Sequence, residues 1–303
     1  MKREKKLQSL ANRYRIDRGK KFSLREFDPG DTAGLAKEFK DDSKQLLQRS
    51  TELLTDLQDK LYAQDRWALL LIFQAMDAAG KDGTIKHVMS GVNPQGCEVF
   101  SFKSPSQEEL EHGYLWRTSK CTPARGKIGI FNRSYYEEVL AVRVHPEFLE
   151  QQHLPEICCG GDIWKERFQD IADFERYATR NGIAIRKFFL NLSKEEQKRR
   201  FLARLDEPEK NWKFSAADIH ERGYWNEYQK NYEEMIRHTS SKRAPWFVVP
   251  ADNKWFTRLV VSSVIVDALQ EMKLAYPVVS AEKRKALAAA RRELEGKAKA
   301  NKS

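Results

Sequence analysis

A chain of 303 residues with a formal net charge of +10 is long enough for one large α/β domain with a sizeable core or for two smaller ones, and we read one domain with a basic tail. Apolar residues at 41% and aromatics at 11% exclude an intrinsically disordered chain, no run of about 18 apolar residues marks a membrane span, and the charged start MKREKKLQSL lacks the apolar stretch of a secretory signal, which predicts a cytoplasmic protein. The excess of 54 Lys and Arg over 44 Asp and Glu points to a polyanionic partner without saying which.

In chain order, residues 1–34 lack strong periodicity and read as an N-terminal arm, with turn chemistry at Phe27–Asp31. From Leu35 to about Tyr62, Leu46, Leu47, Leu53, Leu54, Leu57 and Leu61 recur at helical spacing and predict an amphipathic helix. Trp67–Met76 is apolar but for Gln74 and is short, as a strand buried on both faces of a parallel sheet would be. Further strands are predicted at Cys97–Phe102, Lys127–Phe131, Ile183–Leu192 and Trp246–Pro250, separated by segments long enough for crossover helices. Five such strands predict an α/β fold with a parallel sheet and helices on both faces. The stretch from Ser193 to His238 is helical in pattern, broken at Glu207-Pro208-Glu209, and suits a helical lid. An amphipathic helix over Trp255–Tyr276 closes the domain, which therefore covers residues 35–279. Residues 280–303, rich in Lys and Ala, read as a solvated basic tail. Cys97, Cys121, Cys158 and Cys159 show neither zinc nor disulfide spacing and read as reduced thiols.

Three clusters carry chemistry. After the first buried strand comes Ala75-Met76-Asp77-Ala78-Ala79-Gly80-Lys81-Asp82-Gly83-Thr84 and then a helix, which is P-loop (Walker A) form. Here Ala79, Gly80, Asp82, Gly83 and Thr84 bring backbone N–H groups toward phosphate, the helix adds its positive end, and Lys81 adds a point charge. Ala75 stands where the first glycine belongs, and Asp82 where Ser or Thr would hold magnesium. The third strand ends in Asn132-Arg133, at the sheet edge where such enzymes place a second, acidic motif. Arg133 suits bidentate phosphate binding, or simply pairing with a helix carboxylate. The third cluster is Lys198, Arg199, Arg200 and Arg204, then Lys210, Trp212 and Lys213. Arg200 and Arg204 are one helical turn apart and share a face, so a mobile helix could bring both over a phosphate as arginine fingers. A solvated basic face remains the alternative.

The chain resembles the polyphosphate kinase 2 family from about Phe27 to Tyr276. The motifs are FQAMDAAGKDGTIKHVMSGVNPQG, YLWR at Tyr114–Arg117, IGIFNRSYYEEVLAVRVHPE, KFFLNLSKEEQKRRFLARL, EKNWKFSAAD and APWFVVPADNKWFTR, in order. The resemblance implies a three-layer P-loop kinase-like fold with a helical lid, and magnesium-dependent, often reversible transfer of the terminal phosphoryl group of polyphosphate to nucleotides, with manganese as an alternative ion. It implies a catalytic group of Asp77, Lys81, Asn132, Arg133 and Arg204, and a homodimer or homotetramer. Asp77 and Asp82 are the candidate metal ligands, since many members carry Asp where this chain has Asn132. Asp77, Asn132 and Glu137 are the candidate nucleotide contacts, and FNRS with Glu137 resembles the branch that accepts both nucleoside mono- and diphosphates. Polyphosphate bears about one negative charge per residue, so a groove of Lys81, Lys103, Arg117, Arg133, Arg200 and Arg204, with Lys213 nearby, would hold a chain.

Two other readings stand beside this one. An ATP-dependent nucleotide or small-molecule kinase would share the loop and lid and ignore polyphosphate. A nucleic-acid-binding protein would use the basic surface with Trp212, Tyr224 and Trp225, but the RNA-binding signatures are missing, so neither nucleic acid nor membrane is expected as a partner.

Overall fold

The structure, a computed structural model, describes residues 9–35 and 40–300. The longer elements are β1 (Arg15–Ile16), α1 (Lys40–Gln64), β2 (Ala68–Gln74), α2 (Lys81–Val88), β3 (Cys97–Ser101), β4 (Ile128–Asn132), α3 (Ile163–Arg180) and β5 (Ile183–Asn191). They continue with α4 (Lys194–Asp206), α5 (Ala216–Gly223), α6 (Trp225–Thr239), β6 (Trp246–Pro250), α7 (Lys254–Glu271) and α8 (Ala281–Ala300).

The sheet runs β1-β6-β5-β2-β4-β3. All neighbours are parallel except β1, which pairs antiparallel with β6. Central β2 has no exposed residue, and its side chains divide by the two-residue period of a strand. Leu69, Leu71 and Phe73 enter one core, with Phe188 and Leu190 of β5 and the buried residues of α1, α2 and α7. Leu70 and Ile72 enter the other, with Phe131, Phe189 and the buried faces of α3 and α6. Each such side chain taken from water is worth about 1.5–3 kcal/mol, which is why β2 can be nothing but central. The expected α/β architecture, with helices on both faces, is therefore present.

Three expectations change. The sheet has a sixth strand, β1, drawn from the segment read as an arm; two residues are too short to carry a period. The arm is also packed: Leu10, Ala11 and Tyr14 are buried, and a Cβ on Gly19 would stand 2.3 Å from the Arg237 carbonyl oxygen, so only glycine lets this segment lie against the end of α6. Second, α7 is not amphipathic. From Phe256 to Leu269 all but one position is buried, because α1 covers the side that would otherwise meet water. Its Ser262 and Ser263 hydroxyls donate to the Leu259 carbonyl within the helix, the usual way a buried hydroxyl is satisfied. Third, α6 lies in the core through Trp225, Tyr228, Tyr232, Met235 and Ile236. That leaves α4, α5 and the turn between them as the part of the Ser193–His238 stretch able to act as a lid.

In register, Phe73 of β2 stands beside Asn132 of β4. The segments after Gln74 and Asn132 thus leave the sheet together at the carboxyl ends of the strands, the side where open α/β sheets bind ligands.

Candidate active site

The chain turns from β2 into α2 through two left-handed residues, Ala78 at φ +63° and Gly80 at φ +98°. Gly80 takes this conformation without strain, while Ala78 pays for its Cβ. Lys81 opens α2, and its ammonium donates to the Ala75 carbonyl at 3.0 Å. Burial lowers the Lys81 pKa, and the neighbouring Arg133 charge lowers it further, against the pull of Asp77, Glu137 and Asp82. Thr84 is buried one turn into α2. The turn therefore holds a cation close, while the Ala79 and Thr84 amides donate to the Met76 and Gly80 carbonyls.

Beside it, Arg133 adopts φ +62°, and its backbone N–H donates to the Phe73 carbonyl at 3.0 Å. Its guanidinium Nη2 donates to Asp77 Oδ1 at 2.9 Å, and Nη1 lies 3.9 Å from Glu137 Oε2. Glu137, then Asp77, hold the guanidinium in its charged form more firmly than usual. The amide of Gln74, fully buried at the end of β2, donates to Glu137 Oε1 at 3.2 Å. Asn132 donates to Asp82 Oδ1 at 2.5 Å, so it orients a loop carboxylate. Arg133 and Glu137 also line a cavity of about 280 Å³ with Lys103, Arg117, Tyr114 and Phe148. Lys103 and Arg117 therefore belong with this cavity: Arg117 donates to Glu109 and to the Lys103 carbonyl and lies over the Phe102 ring.

The two lid arginines part company. Arg200 is 6% exposed, and all five of its N–H groups are engaged. Nε donates to Glu196, Nη1 to the carbonyls of Ala78 and Ala79, and Nη2 to those of Ala251 and Asp252. Arg200 thus holds the loop backbone, whereas its expected place was the phosphate groove. Gln197 adds to the clamp by donating to the Asp77 carbonyl at 3.0 Å, and is itself held by Arg222 of α5. Arg204 is different: its Nη1 lies 3.5 Å from Asp218 Oδ2 of α5, with both side chains partly exposed. The Asp218 carboxyl is pushed above the usual carboxylate range by burial and then by the charge of Asp77. The outer end of α4 thus approaches the loop through α5. The Lys213 side chain falls outside the described residues. Of the aromatics considered for nucleic acid, Trp225 is buried and Tyr224 packs on the core, while Trp212 is exposed.

Among the described residues, no group of three or more His, Cys, Asp or Glu side chains could hold a metal ion. The donors present nevertheless suit a hard divalent cation, since such an ion can be held by one or two carboxylates plus substrate phosphates. Asp77 of the loop, which accepts from Arg133, and Asp82 in the first turn of α2, which accepts from Asn132, supply two. Gln74, Gln197, Arg222 and Asp218 escaped sequence reasoning. An aspartate three residues after the N-cap Ser215 looks like ordinary helix capping, and a glutamine inside a buried strand gives no signal beyond being polar there.

The family profile described as Polyphosphate kinase 2 (PPK2) matches residues 37–277. The chain is 54% identical over 258 residues to an ADP-polyphosphate phosphotransferase of Rhodopseudomonas palustris, covering 85% of this chain and 89% of the relative. It is 42% identical over 267 residues to an AMP/ADP-polyphosphate phosphotransferase of Meiothermus ruber, covering 88% and 95%. Its structure is similar to the crystal structure of a polyphosphate kinase 2 of Arthrobacter aurescens, with a TM-score of 0.83 and 40% identity, covering 93% of this chain and 96% of that one.

Proposed function

The chain belongs to the polyphosphate kinase 2 family, and from that premise we propose that it transfers the terminal phosphoryl group of polyphosphate to AMP and ADP, or GMP and GDP, reversibly and with Mg²⁺ or Mn²⁺. The observation that carries the reading is the position of Arg133, which lines the cavity and at the same time bonds Asp77 of the phosphate loop. One guanidinium therefore borders both the space for an acceptor and the loop for a donor.

In the reaction, an acceptor phosphate oxygen forms the new P–O bond to the terminal phosphorus of polyphosphate, while the anhydride P–O bond breaks and the shortened chain leaves with the electron pair. The transition state is loose and in line, so positioning and charge neutralisation are the protein's tasks. The loop N–H groups and Lys81 hold the donor phosphates, and Arg133 sits between donor and acceptor. Arg204 exchanges Asp218 for phosphate oxygens when substrate enters. Asp77 and Asp82 would hold the divalent ion, which neutralises bridging phosphate charge. Glu137, placed by Gln74, faces the cavity, where Tyr114 and Phe148 offer rings to a base. A homodimer or homotetramer belongs to the same reading and is checked by light scattering.

The test is to incubate the purified protein with long-chain polyphosphate, Mg²⁺ and AMP or ADP, and to follow nucleotides by chromatography. Formation of ATP supports the reading. Phosphorylation from ATP alone, with polyphosphate ignored, would mark an ordinary nucleotide kinase.

A further inference from the structure

Lys187 lies in the middle of β5 among Ile185, Phe188 and Phe189, with its side chain completely buried, and faces an equally buried Glu175 of α3. Two apolar residues of similar volume would hold this position as well or better, since taking two charges out of water costs about what their attraction returns. The pair is not closed on itself. Glu175 Oε2 accepts from Lys187 Nζ at 2.6 Å, and Oε1 accepts from the hydroxyls of Tyr135 at 2.9 Å and Tyr136 at 2.7 Å. Lys187 also donates to the Tyr136 hydroxyl and to the Thr239 carbonyl at the end of α6. The indole N–H of Trp246 donates to the Thr239 hydroxyl and fixes that end.

Tyr135 and Tyr136 are the two residues between Ser134 and Glu137, in the turn that carries Arg133 into the site. Arg133 is a non-glycine residue in a left-handed conformation, which persists only where the surroundings impose it. On its amino side it is tied to β2 through the Phe73 carbonyl. On its carboxyl side the ties are the Ser134 cap, the two tyrosine hydroxyls and the Gln74 amide on Glu137.

We propose that the buried Lys187–Glu175 pair is a positioning device for phosphoryl transfer: through the Tyr135 and Tyr136 hydroxyls it fixes the turn that aims Arg133 and Glu137. Burial lowers the Lys187 pKa and raises those of both tyrosines, so the lysine ammonium depends on Glu175 and the hydroxyls stay protonated as donors. None of these four residues touches substrate; they act through Arg133.

The proposal rests on the reading of Arg133 as an active-site residue, so Arg133→Ala is measured alongside. Tyr135→Phe/Tyr136→Phe removes two hydroxyls and leaves both rings packed. Lys187→Met/Glu175→Leu removes both charges at similar volume and keeps the core apolar. A shift of about 1 Å at a reacting group costs about 10² in rate, so each double variant should lose about tenfold or more in kcat per folded molecule, with the nucleotide KM changed less than about threefold. The charge-free variant also leaves the two tyrosine hydroxyls and the Thr239 carbonyl without these partners and should melt lower, so kcat is compared where both variants are fully folded; a loss confined to kcat, with KM kept, is what a merely structural pair would not produce. A kcat within about twofold of wild type in folded protein overturns the proposal while Arg133→Ala is inactive. An active Arg133→Ala overturns the site reading instead. If Lys187→Met/Glu175→Leu fails to fold, the tyrosine variant decides.

Discussion

Arg200 and Arg204 stand one helical turn apart on α4, yet Arg200 is 6% exposed with five N–H groups on protein acceptors, whereas Arg204 reaches Asp218 at 3.5 Å beside the loop. The inner turn of α4 is bound into the loop backbone, and the outer turn, in the reading proposed above, is the part that meets substrate. The difference comes from depth along the helix axis, since both residues lie on one face. A rigid inner turn that ties α4 to the Ala78 and Ala79 carbonyls sets the distance at which the outer turn can reach a phosphate. Four carbonyl oxygens and Glu196 share one guanidinium, which ties this turn of α4 to the loop backbone.

Removing the outer guanidinium should have the largest effect on turnover. Arginines that neutralise transferring phosphoryl groups are worth about 10³ to 10⁵ in rate, and Arg204→Ala is expected to lose about 10³ in kcat for ATP formation from ADP and polyphosphate, with Tm nearly unchanged. Lys81→Ala follows, with an expected loss of about 10² to 10³, the range for deleting one preorganised group at the reaction centre. Steady-state kinetics beside a thermal melt check both.

Lys81 also gives the reaction a pH dependence. Its pKa is lowered below 10.5 by burial and by Arg133, so the free enzyme loses the Lys81 charge earlier on the alkaline side than an ordinary lysine would. Bound phosphate favours the ammonium and raises that pKa again. The alkaline limb of kcat/KM should therefore fall at lower pH than the limb of kcat, and a pH series on wild type reads both. The unfolded chain binds the Lys81 proton more tightly than the folded one, so this group's contribution to stability rises with pH through the window between the lowered pKa and 10.5.

A milder perturbation is Asn132→Asp. It sets a second carboxylate 2.5 Å from Asp82, where two charges repel unless a cation enters. The expected result is a stronger dependence on Mg²⁺ concentration and a changed ratio of AMP to ADP phosphorylation, by a few-fold. An unchanged ratio would leave acceptor choice to the shape of the cavity around Glu137. The smallest effect is expected from deleting 280–303. The described part of α8 is exposed throughout, and solvated segments of this kind are dispensable for a packed site. Turnover at saturating polyphosphate should stay within about twofold of wild type.

How much was legible follows the same division. The buried strands announced themselves because a parallel strand covered on both faces must be apolar throughout, and β6 matches its predicted bounds, Trp246–Pro250. The loop around Lys81 was legible because its glycine and lysine answer to backbone geometry. Arg200's bonds to the loop and to the Ala251 and Asp252 carbonyls were not legible, because helical spacing fixes a face and says nothing of which residue on it meets backbone far away in sequence. The packing of α7 hid for a related reason: α1, which covers it, comes about 200 residues earlier. Asp218 and Gln74 act through partners that no local pattern names.

The division itself is tested most directly by one paired measurement on Arg200→Lys and Arg204→Lys, each keeping its charge: turnover of ADP with polyphosphate, and Tm, on the same samples. A lysine at 200 cannot reproduce the planar fork to four carbonyls, and broken buried networks of this kind cost about 3–5 kcal/mol, so Arg200→Lys should melt markedly lower. Arg204→Lys should melt with wild type and lose about tenfold or more in turnover, because an ammonium lacks the two-pronged contact with the transferring group. Equal Tm in the two variants, or full turnover in Arg204→Lys, would contradict the account.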